Sequence, residues 1–459
     1  MKIDKAPGSA EARLAEFAAD LTLDDIPPAV LHEAKRALVN VFATALAGSG
    51  ETAVDVALKT MAPFSGAPTA SMIGRAERGD AALAAFVNAM SANIFDFDDT
   101  HEATIIHPAA PVFAALLAHA EQAGLSGAAV LRSLVVGIEV ECRIGNAISP
   151  GHYARGWHIT STCGVFGAAA GTGSLVGLTP PQMLNALAAA AVQSSGLVEA
   201  LGTMAKSLSV GGAARNGLLS ALLAQDGLTG PPRPLSGERG WLRVCADRPQ
   251  PELMLEGLGS DWQAAANTYK PFPVGVVLNP VIEALMKLRE EAGLTLADVD
   301  SVTATGHPLL RERTDRPDVT TGRESQVSAQ HAMAIVLLRG QARLDEFSDE
   351  AAEETLKAGR PAVVFRADPA RDIASVDLEV RRRSGETLRC EIRSAIGSRA
   401  NPLSDAQLET KLMESGRWAG FSGDMRRIAE TIWRIEDLED AGELMRLAAA
   451  QPGKSAKAT

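Results

Sequence analysis

The stretch ITSTCGVFGAAAGTGSLV (159–176) indicates a core built from closely packed helices. It carries no charge, and its glycine and alanine positions allow neighbouring helix backbones to approach each other. Polar residues interrupt it before it reaches the ~18 apolar residues that a transmembrane helix needs. GTGSLVG (171–177) departs from the dinucleotide-binding fingerprint in its last spacing, and no apolar strand precedes it, so we expect helix packing there and not a nucleotide site.

Similar helical patterns cover most of the first 230 residues. Apolar side chains recur at positions i, i+3, i+4 and i+7, and Thr179-Pro180-Pro181 combines a capping residue with prolines of a first helical turn. The predicted helices are Ala10–Leu21, Ala29–Ala47, Asp80–Ile94, Pro111–Glu121, Ala128–Ile144, Val165–Val176 and Pro180–Ala191.

The pattern changes to mixed α and β after about residue 266. In the mixed segment we predict a strand at Val299–His307, a hairpin of Ser375–Arg382 with Thr387–Arg393, and helices at Pro280–Ala292 and Ser325–Arg339. Helices then return at Asp405–Met413 and Gly423–Leu447, and we expect the tail PGKSAKAT (452–459) to be disordered. The predicted fold is therefore mainly α. A large all-helical domain formed by residues 1–266 and 400–459 is interrupted by a smaller α+β domain of residues 267–399. This order favours a small-molecule site in a cleft between two domains.

Composition excludes several classes of protein. The 459 residues carry 44 basic and 56 acidic side chains, a formal net charge of −12, which opposes non-specific binding to nucleic acid or anionic membranes. The four cysteines form no CxxC pair, so zinc-ribbon and ferredoxin spacings are absent. The N-terminal MKIDKAPGSAEARLAEF lacks the apolar stretch of a signal peptide. We expect a soluble cytoplasmic protein with reduced thiols and with neither a nucleic acid nor a membrane as partner.

The densest polar cluster is DFDDTHE (96–102), followed closely by His107. A metal site for Mg²⁺ or Mn²⁺ is one interpretation, although the HEx4H spacing is two residues longer than the HExxH pair. Helix capping by Asp and Thr is another. We favour an acid/base site in which a carboxylate orients an imidazole, and we expect no bound metal.

A second cluster, GHYARGWHITST (151–162), contains Tyr153 and His158 and leads into the glycine-rich helix. Unpaired amides at a helix N-terminus suit an anion, whereas an ordinary loop with a satisfied core histidine is the alternative. Two lysines lie in apolar or glycine-rich surroundings, Lys206 in MAKSLSVGGAARNG (204–217) and Lys270 in TYKPFPVG (268–275). Two lysines with histidines and Thr100 would suit a di- or tricarboxylate, because each side chain supplies a strong hydrogen bond.

At these places the chain resembles the MmgE/PrpD family, which includes 2-methylcitrate dehydratases, cis-aconitate decarboxylases and iminodisuccinate epimerases. The resemblance covers nearly the whole chain, and the matching stretches follow the family's order. They are DFDDTHEATIIHPAAPV (96–112), HYARGWHITSTCGVFGAAAG (152–171), SGLVEALGTMAKSLSVGGAARNGLLSALLAQDGLTGP (195–231) and KPFPVG (270–275).

The resemblance implies a helical domain with an α+β lid domain, a homodimer, and chemistry without a cofactor. Site positions carry over onto catalytic Asp96, His107, His158 and Lys206, and onto substrate-binding Thr100 and Lys270, with Asp99 as the competing carboxylate. Tyr153, in the second cluster, is a further predicted substrate-binding residue. The chain departs from the family pattern in three places. Ser209 stands where many members have histidine, Val274 and Asn279 replace a cysteine and a histidine, and Arg313 or a neighbour replaces a tyrosine of decarboxylase members.

We therefore predict a cofactor-independent enzyme that removes the proton α to a carboxylate of a small di- or tricarboxylate. His107 and His158 are the predicted acid/base pair, with either histidine as the base, and Asp96 fixes a histidine tautomer. Lys206, Lys270 and Thr100 hold carboxylates and stabilise the enolate-like charge. Dehydration of the 2-methylcitrate type is ranked first. Epimerisation of an iminodisuccinate-like acid follows, then cis-aconitate-type decarboxylation or carboxylate binding without catalysis.

Overall fold

Two compact units make up the chain in a computed structural model, which describes residues 8–450. The first unit comprises the described residues up to Ile94, then Asp98–Asn267, and then the residues from Asp405 onwards. The second unit comprises Phe95–Phe97 and Thr268–Ser404. The first unit thus contains both ends of the described chain, with the second unit inserted between them in sequence.

The described residues leave out both chain termini, so the predicted disorder of segment 452–459 lies outside them. Within residues 8–450, no single helix is both long enough and apolar enough to span a membrane. Only Pro28–Gly48 taken together with Thr52–Phe64 passes that test, and these two segments are bent by 85° relative to each other.

Helices are the main elements of the first unit, so the fold is mainly α, as predicted. Before the second unit it contains α1 Ala10–Asp20, α2 Pro28–Gly48, α3 Thr52–Met61, α4 Ala81–Asn93, α5 Ala109–Ala123, α6 Gly127–Asn146, α7 Gly151–Ala154, α8 Ile159–Leu175, α9 Pro180–Ala191, α10 Ala205–Gln225 and α11 Trp241–Cys245. Its short strands are β1 Ala70–Ser71, β2 Arg78–Gly79 and β3 Asp99–His101, and β4 Asn267–Tyr269 begins at its last residue before the division.

Close approach of α6 and α8 explains the glycines in the centre of this unit. A Cβ atom at Gly137 would lie 2.8 Å from the carbonyl oxygen of Gly167, and one at Gly171 would lie 3.0 Å from that of Ser133. Any larger residue would push the two helices apart. The glycines at the start of GTGSLVG therefore serve helix packing, as predicted.

Helix α8 begins at Ile159, earlier than the predicted start at Val165. The β-branched and hydroxyl side chains of this first turn have low intrinsic helix propensity. The turn nevertheless forms in a buried position, where the N–H groups of Ser161 and Thr162 each donate to the His158 carbonyl at 3.1 Å.

The chain returns to the first unit as α17 Asp405–Trp418, α18 Met425–Trp433 and α19 Gly442–Ala448. The prediction of one helix over Gly423–Leu447 is therefore wrong. The intervening main chain bonds elsewhere, because the Leu438 carbonyl accepts from Gly127 N at 2.9 Å and Ala441 N donates to the Leu125 carbonyl at 2.8 Å. These tertiary hydrogen bonds to the α5–α6 connection replace helical ones.

A four-stranded sheet of order β6-β5-β7-β8 forms the centre of the second unit. Its strands are β5 Val299–Gly306, β6 Ala362–Ala367, β7 Val376–Arg382 and β8 Thr387–Ile392, and its helices are α12 Asn279–Ala292, α13 Pro308–Thr314, α14 Gly322–Ser325, α15 Ala329–Arg339 and α16 Asp349–Ala358. The predicted hairpin is confirmed, since β7 and β8 are antiparallel with Leu378 opposite Cys390. Strand β6, parallel to β5, was not predicted.

Candidate active site

His107 lies just before α5 and is held by the acidic segment that precedes it. Its Nδ1 lies 2.6 Å from the main-chain carbonyl oxygen of Asp99 and 3.3 Å from Thr100 Oγ1. A carbonyl oxygen can only accept a hydrogen bond, so Nδ1 carries the hydrogen and Nε2 is the basic nitrogen of the neutral ring. The sequence predicts this tautomer-fixing role for Asp96, but at His107 the Asp99 carbonyl performs it.

The neighbouring carboxylate of Asp98 faces the same ring nitrogen. Asp98 Oδ1 lies 3.4 Å from His107 Nδ1, while Asp98 Oδ2 accepts a hydrogen bond from Asn93 Nδ2 at 2.7 Å. A carboxylate and an imidazole are donors that Mg²⁺ or Mn²⁺ can use. Nδ1 uses its hydrogen on the Asp99 carbonyl, however, so this nitrogen has no lone pair to offer a metal.

Asp99, the competing carboxylate of the sequence analysis, anchors the start of α5. Its Oδ2 accepts hydrogen bonds from Asn267 Nδ2 at 2.6 Å and from Ala109 N at 3.1 Å. Burial, with a smaller contribution from the negative charge of Asp98, raises the pKa of the Asp99 carboxyl to about 6, against the lowering effect of the Asn267 hydrogen bond. The side chain is fully buried, so its role here is to position β3 and α5.

His158 immediately precedes α8 and is 3% exposed. Its Nδ1 lies 3.2 Å from Ser161 Oγ and 3.4 Å from Ser209 Oγ on α10. Its main-chain N–H donates to the carbonyl of Gly196 at 3.1 Å. The first turn of α8 also reaches His107, because Thr160 Oγ1 accepts from His107 N at 3.1 Å.

Lys206 lies in the first turn of α10 and is 4% exposed. Its carbonyl accepts a hydrogen bond from Ser209 Oγ at 2.7 Å, and Ser209 in turn contacts His158. Hydrogen bonds and close contacts within the first unit therefore link four predicted site residues, which are Thr100, His107, His158 and Lys206. Tyr153, on α7, is partly exposed.

Asp96 and Lys270 are paired within the second unit. Lys270 Nζ donates to the Asp96 carbonyl oxygen at 2.7 Å and to its Oδ1 at 3.1 Å, and Lys270 is 5% exposed. Asp96 has a φ of 53°, in the left-handed region that few residues other than glycine adopt. Strain of this kind is often found at functional sites.

His152, in the second predicted cluster, is a satisfied core residue. Its Nδ1 donates to the Cys245 carbonyl at 2.9 Å, and its Nε2 lies 2.7 Å from Thr162 Oγ1. Its ring stacks on Trp157, and burial lowers its pKa to about 4. At neutral pH this histidine is therefore uncharged and supports the turn that carries His158.

Sequence reasoning missed the side chains that hold the site residues in place. Ser161 follows His158 by one helical turn, a spacing that could have indicated the contact. Ser209 and Asn267 reach their partners only through tertiary packing. Glu141, on α6, is fully buried, and its carboxyl oxygens have no hydrogen-bond partner among the described residues.

Comparison with protein families accounts for both parts of the chain. Residues 12–254 match the MmgE/PrpD N-terminal domain, and residues 272–437 match the MmgE/PrpD C-terminal domain. The chain belongs to the MmgE/PrpD family. The resemblance drawn from the four sequence stretches is therefore confirmed.

Several curated relatives of this MmgE/PrpD member are named cis-aconitate decarboxylases. The cis-aconitate decarboxylase-like protein oryM of Aspergillus oryzae is 28% identical over 97% of this chain and 98% of its own length. Cis-aconitate decarboxylase of Aspergillus terreus is 30% identical over 75% of each protein, and that of Homo sapiens 25% identical over 91% of this chain and 90% of its own. These relatives are lyases that act on a carboxylate, which agrees with the general class predicted.

Proposed function

We propose that this chain is a lyase acting on a small di- or tricarboxylate, and that decarboxylation of a cis-aconitate-like acid is its first candidate reaction. The observation that carries the proposal is the fixed tautomer of His107 in the same unit as buried Lys206. A carboxylate substrate needs a cation, and the reaction needs a group that transfers a proton. The relatives' activity favours decarboxylation over the dehydration ranked first from sequence.

In decarboxylation, the bond between a carbon and its carboxylate breaks and carbon dioxide leaves. The electron pair stays on that carbon and is delocalised towards a neighbouring carboxyl group. A histidine then delivers one proton to a carbon that shares this electron pair. Lys206 lies at the N-terminus of α10, where the helix dipole adds to its own positive charge, so it is suited to hold a carboxylate and to stabilise the developing negative charge.

Dehydration is the second candidate, and Arg313 favours it. This residue, on α13, stands at or next to the place where decarboxylase members of the family carry a tyrosine. In dehydration a base removes the proton α to a carboxylate, and an acid protonates the departing hydroxyl group. The same two histidines would serve in both reactions, so the substrate decides between them.

The direct test is to incubate the protein in D₂O with a panel of citrate-like, aconitate-like and iminodisuccinate-like acids and to follow each by NMR. We expect an aconitate-like acid to lose carbon dioxide and to gain one deuterium on one of the carbons that share the released electron pair. Loss of water from a citrate-like acid would instead support dehydration, and inversion without loss would support epimerisation. If no acid reacts, the proposed function is wrong.

Replacing Lys206 with methionine should weaken binding of the reacting acid by about 1.5–3 kcal/mol, or roughly 10- to 150-fold. The reason is the loss of a charge-assisted hydrogen bond made in a buried environment. Calorimetric titration measures the affinity, and circular dichroism checks folding. Lys59→Met, at an exposed lysine in the last turn of α3, is the matched control and should bind normally. An unchanged affinity in Lys206→Met would remove this residue from the site.

A further inference from the structure

Two serine hydroxyls contact Nδ1 of His158, and the distances indicate which acceptor each hydroxyl hydrogen is donated to. Ser209 Oγ donates to the Lys206 carbonyl at 2.7 Å, a much shorter contact than its 3.4 Å to His158 Nδ1. Ser161 Oγ donates to the His158 carbonyl at 3.0 Å and lies 3.2 Å from Nδ1. A hydroxyl has one hydrogen, so both oxygens are left to accept from the ring.

We propose that Ser209, together with Ser161, is a positioning residue that holds His158 in the tautomer with hydrogen on Nδ1. The neutral ring then has its lone pair on Nε2, and this nitrogen is the one available to take a proton. The assignment of the tautomer stands on the hydrogen bonds alone. Its use in proton transfer rests on the proposed function.

The main chain around His158 supports this arrangement. The Gly196 carbonyl accepts from His158 N, and the Gly196 φ of 137° is one that other residues rarely adopt. A Cβ atom at position 196 would lie 1.9 Å from Ser161 Oγ. Only glycine therefore lets this segment approach while the Ser161 hydroxyl stays beside the ring.

Ser209 also links the two functional elements of the first unit. It lies one turn after Lys206 on α10, and its hydroxyl bonds the Lys206 carbonyl while contacting the ring of His158. The orientation of the imidazole is thereby tied to the turn that carries the buried lysine. A serine with a purely structural role would need only the bond to the carbonyl.

The experiment uses full-length protein labelled with ¹⁵N-histidine, and the His158 signals are assigned by their absence in His158→Gln. In the native protein we expect Nδ1 to show the shift of a protonated nitrogen and Nε2 that of an unprotonated one. In Ser209→Ala the two shifts should move towards each other as the second tautomer becomes populated. Ser209→Thr, which keeps the hydroxyl, should restore them.

Ser207→Ala is the matched control. It removes the same group from the same helix, and Ser207 Oγ has no hydrogen-bond partner among the described residues. Native-like shifts are expected in this variant. If Ser209→Ala also gives native shifts, or if native His158 carries its hydrogen on Nε2, the positioning proposal is overturned. Ser161→Ala, tested in the same way, replaces Ser209→Ala if that variant fails to fold.

Activity separates this proposal from the proposed function. With the acid that reacts in the D₂O panel, Ser209→Ala should lower kcat about 3- to 10-fold with KM nearly unchanged, and Ser209→Thr should recover it. A changed tautomer with unchanged kcat would uphold the assignment of Ser209 and contradict the use of His158 in proton transfer. Unchanged shifts with normal turnover would overturn the positioning role of Ser209 and would not contradict the proposed function.

Discussion

Glutamine in place of His107 or His158 is expected to lower turnover of the reacting acid by a factor of about 10²–10⁴, the usual contribution of a positioned proton-transfer group. Glutamine retains an amide hydrogen that can replace the bond from His107 Nδ1 to the Asp99 carbonyl, so the local structure should survive. It cannot take up or release a proton at neutral pH. Affinity for the acid should change much less than kcat, because the cation at Lys206 remains.

Steady-state kinetics and calorimetric titration on the same two variants test this expectation. His32→Gln is the control, since His32 is an exposed histidine whose Nε2 lies 3.0 Å from Asp405 on α17, and its turnover should equal that of the native protein. If both His107→Gln and His158→Gln keep turnover within about threefold of native, neither histidine transfers a proton. If affinity falls as much as kcat, the histidines bind the acid and do not carry its chemistry.

Elements with strong local signals could be predicted from the sequence. Helix α9 has the predicted bounds Pro180–Ala191, because Thr179 and the two prolines mark its start. The β7–β8 hairpin is set by alternating apolar residues on both sides of a short turn. Strand β6 was missed because it pairs in parallel with β5, more than fifty residues earlier, and parallel pairing leaves no local turn signal.

The site was predictable in its residue types but not in its contacts. The clustering of acids and histidines between 96 and 107 identified His107 and Thr100, which do lie together. The partner of His107 Nδ1 is a main-chain carbonyl, and no residue type in the sequence reveals such a partner. Asp96, predicted to fix a histidine tautomer, accepts hydrogen bonds from Lys270, and no local pattern in the sequence pairs these two residues, which are far apart in the chain.

Glu141 is an ionisable residue in the helical core for which the sequence analysis had no role. It lies on α6, fully buried, and a Cβ atom added at Gly167 of α8 would lie 2.7 Å from its Oε2. Burial raises the pKa of the Glu141 carboxyl well above 4.5, and the negative charge of Asp99 raises it further. Glu141 is therefore a neutral acid in the folded protein at a pH where the unfolded chain has already ionised it.

Replacing Glu141 with glutamine should stabilise the protein increasingly as pH rises. A raised pKa in the folded state gives stability that is complete below the unfolded value of 4.5 and is lost as pH approaches the folded value. Glutamine does not ionise, so the Glu141→Gln variant does not lose this stability as pH rises. The difference in unfolding free energy between variant and native protein should grow by about 1.4 kcal/mol per pH unit from 4.5 up to the folded-state pKa of Glu141, and should level off above that pKa. Urea unfolding between pH 5 and 8 measures it, and a difference independent of pH would contradict the neutral carboxyl.

Glu139→Gln, two residues earlier on the same helix, provides the matched comparison and should behave in the opposite way. Glu139 is equally buried, but its Oε2 pairs with Arg143 Nε at 3.0 Å and its Oε1 accepts from Ala264 N at 2.9 Å. Glutamine there removes the negative charge that compensates a buried guanidinium, which costs about 3–5 kcal/mol. Burial thus raises the pKa of both carboxyls, but the two glutamates differ in their partners: the Arg143 charge and the Ala264 amide oppose that rise at Glu139, whereas the Glu141 oxygens have no hydrogen-bond partner among the described residues. If both glutamine variants were destabilised to the same extent at pH 7, Glu141 would have to be a carboxyl group with a compensating partner, like Glu139.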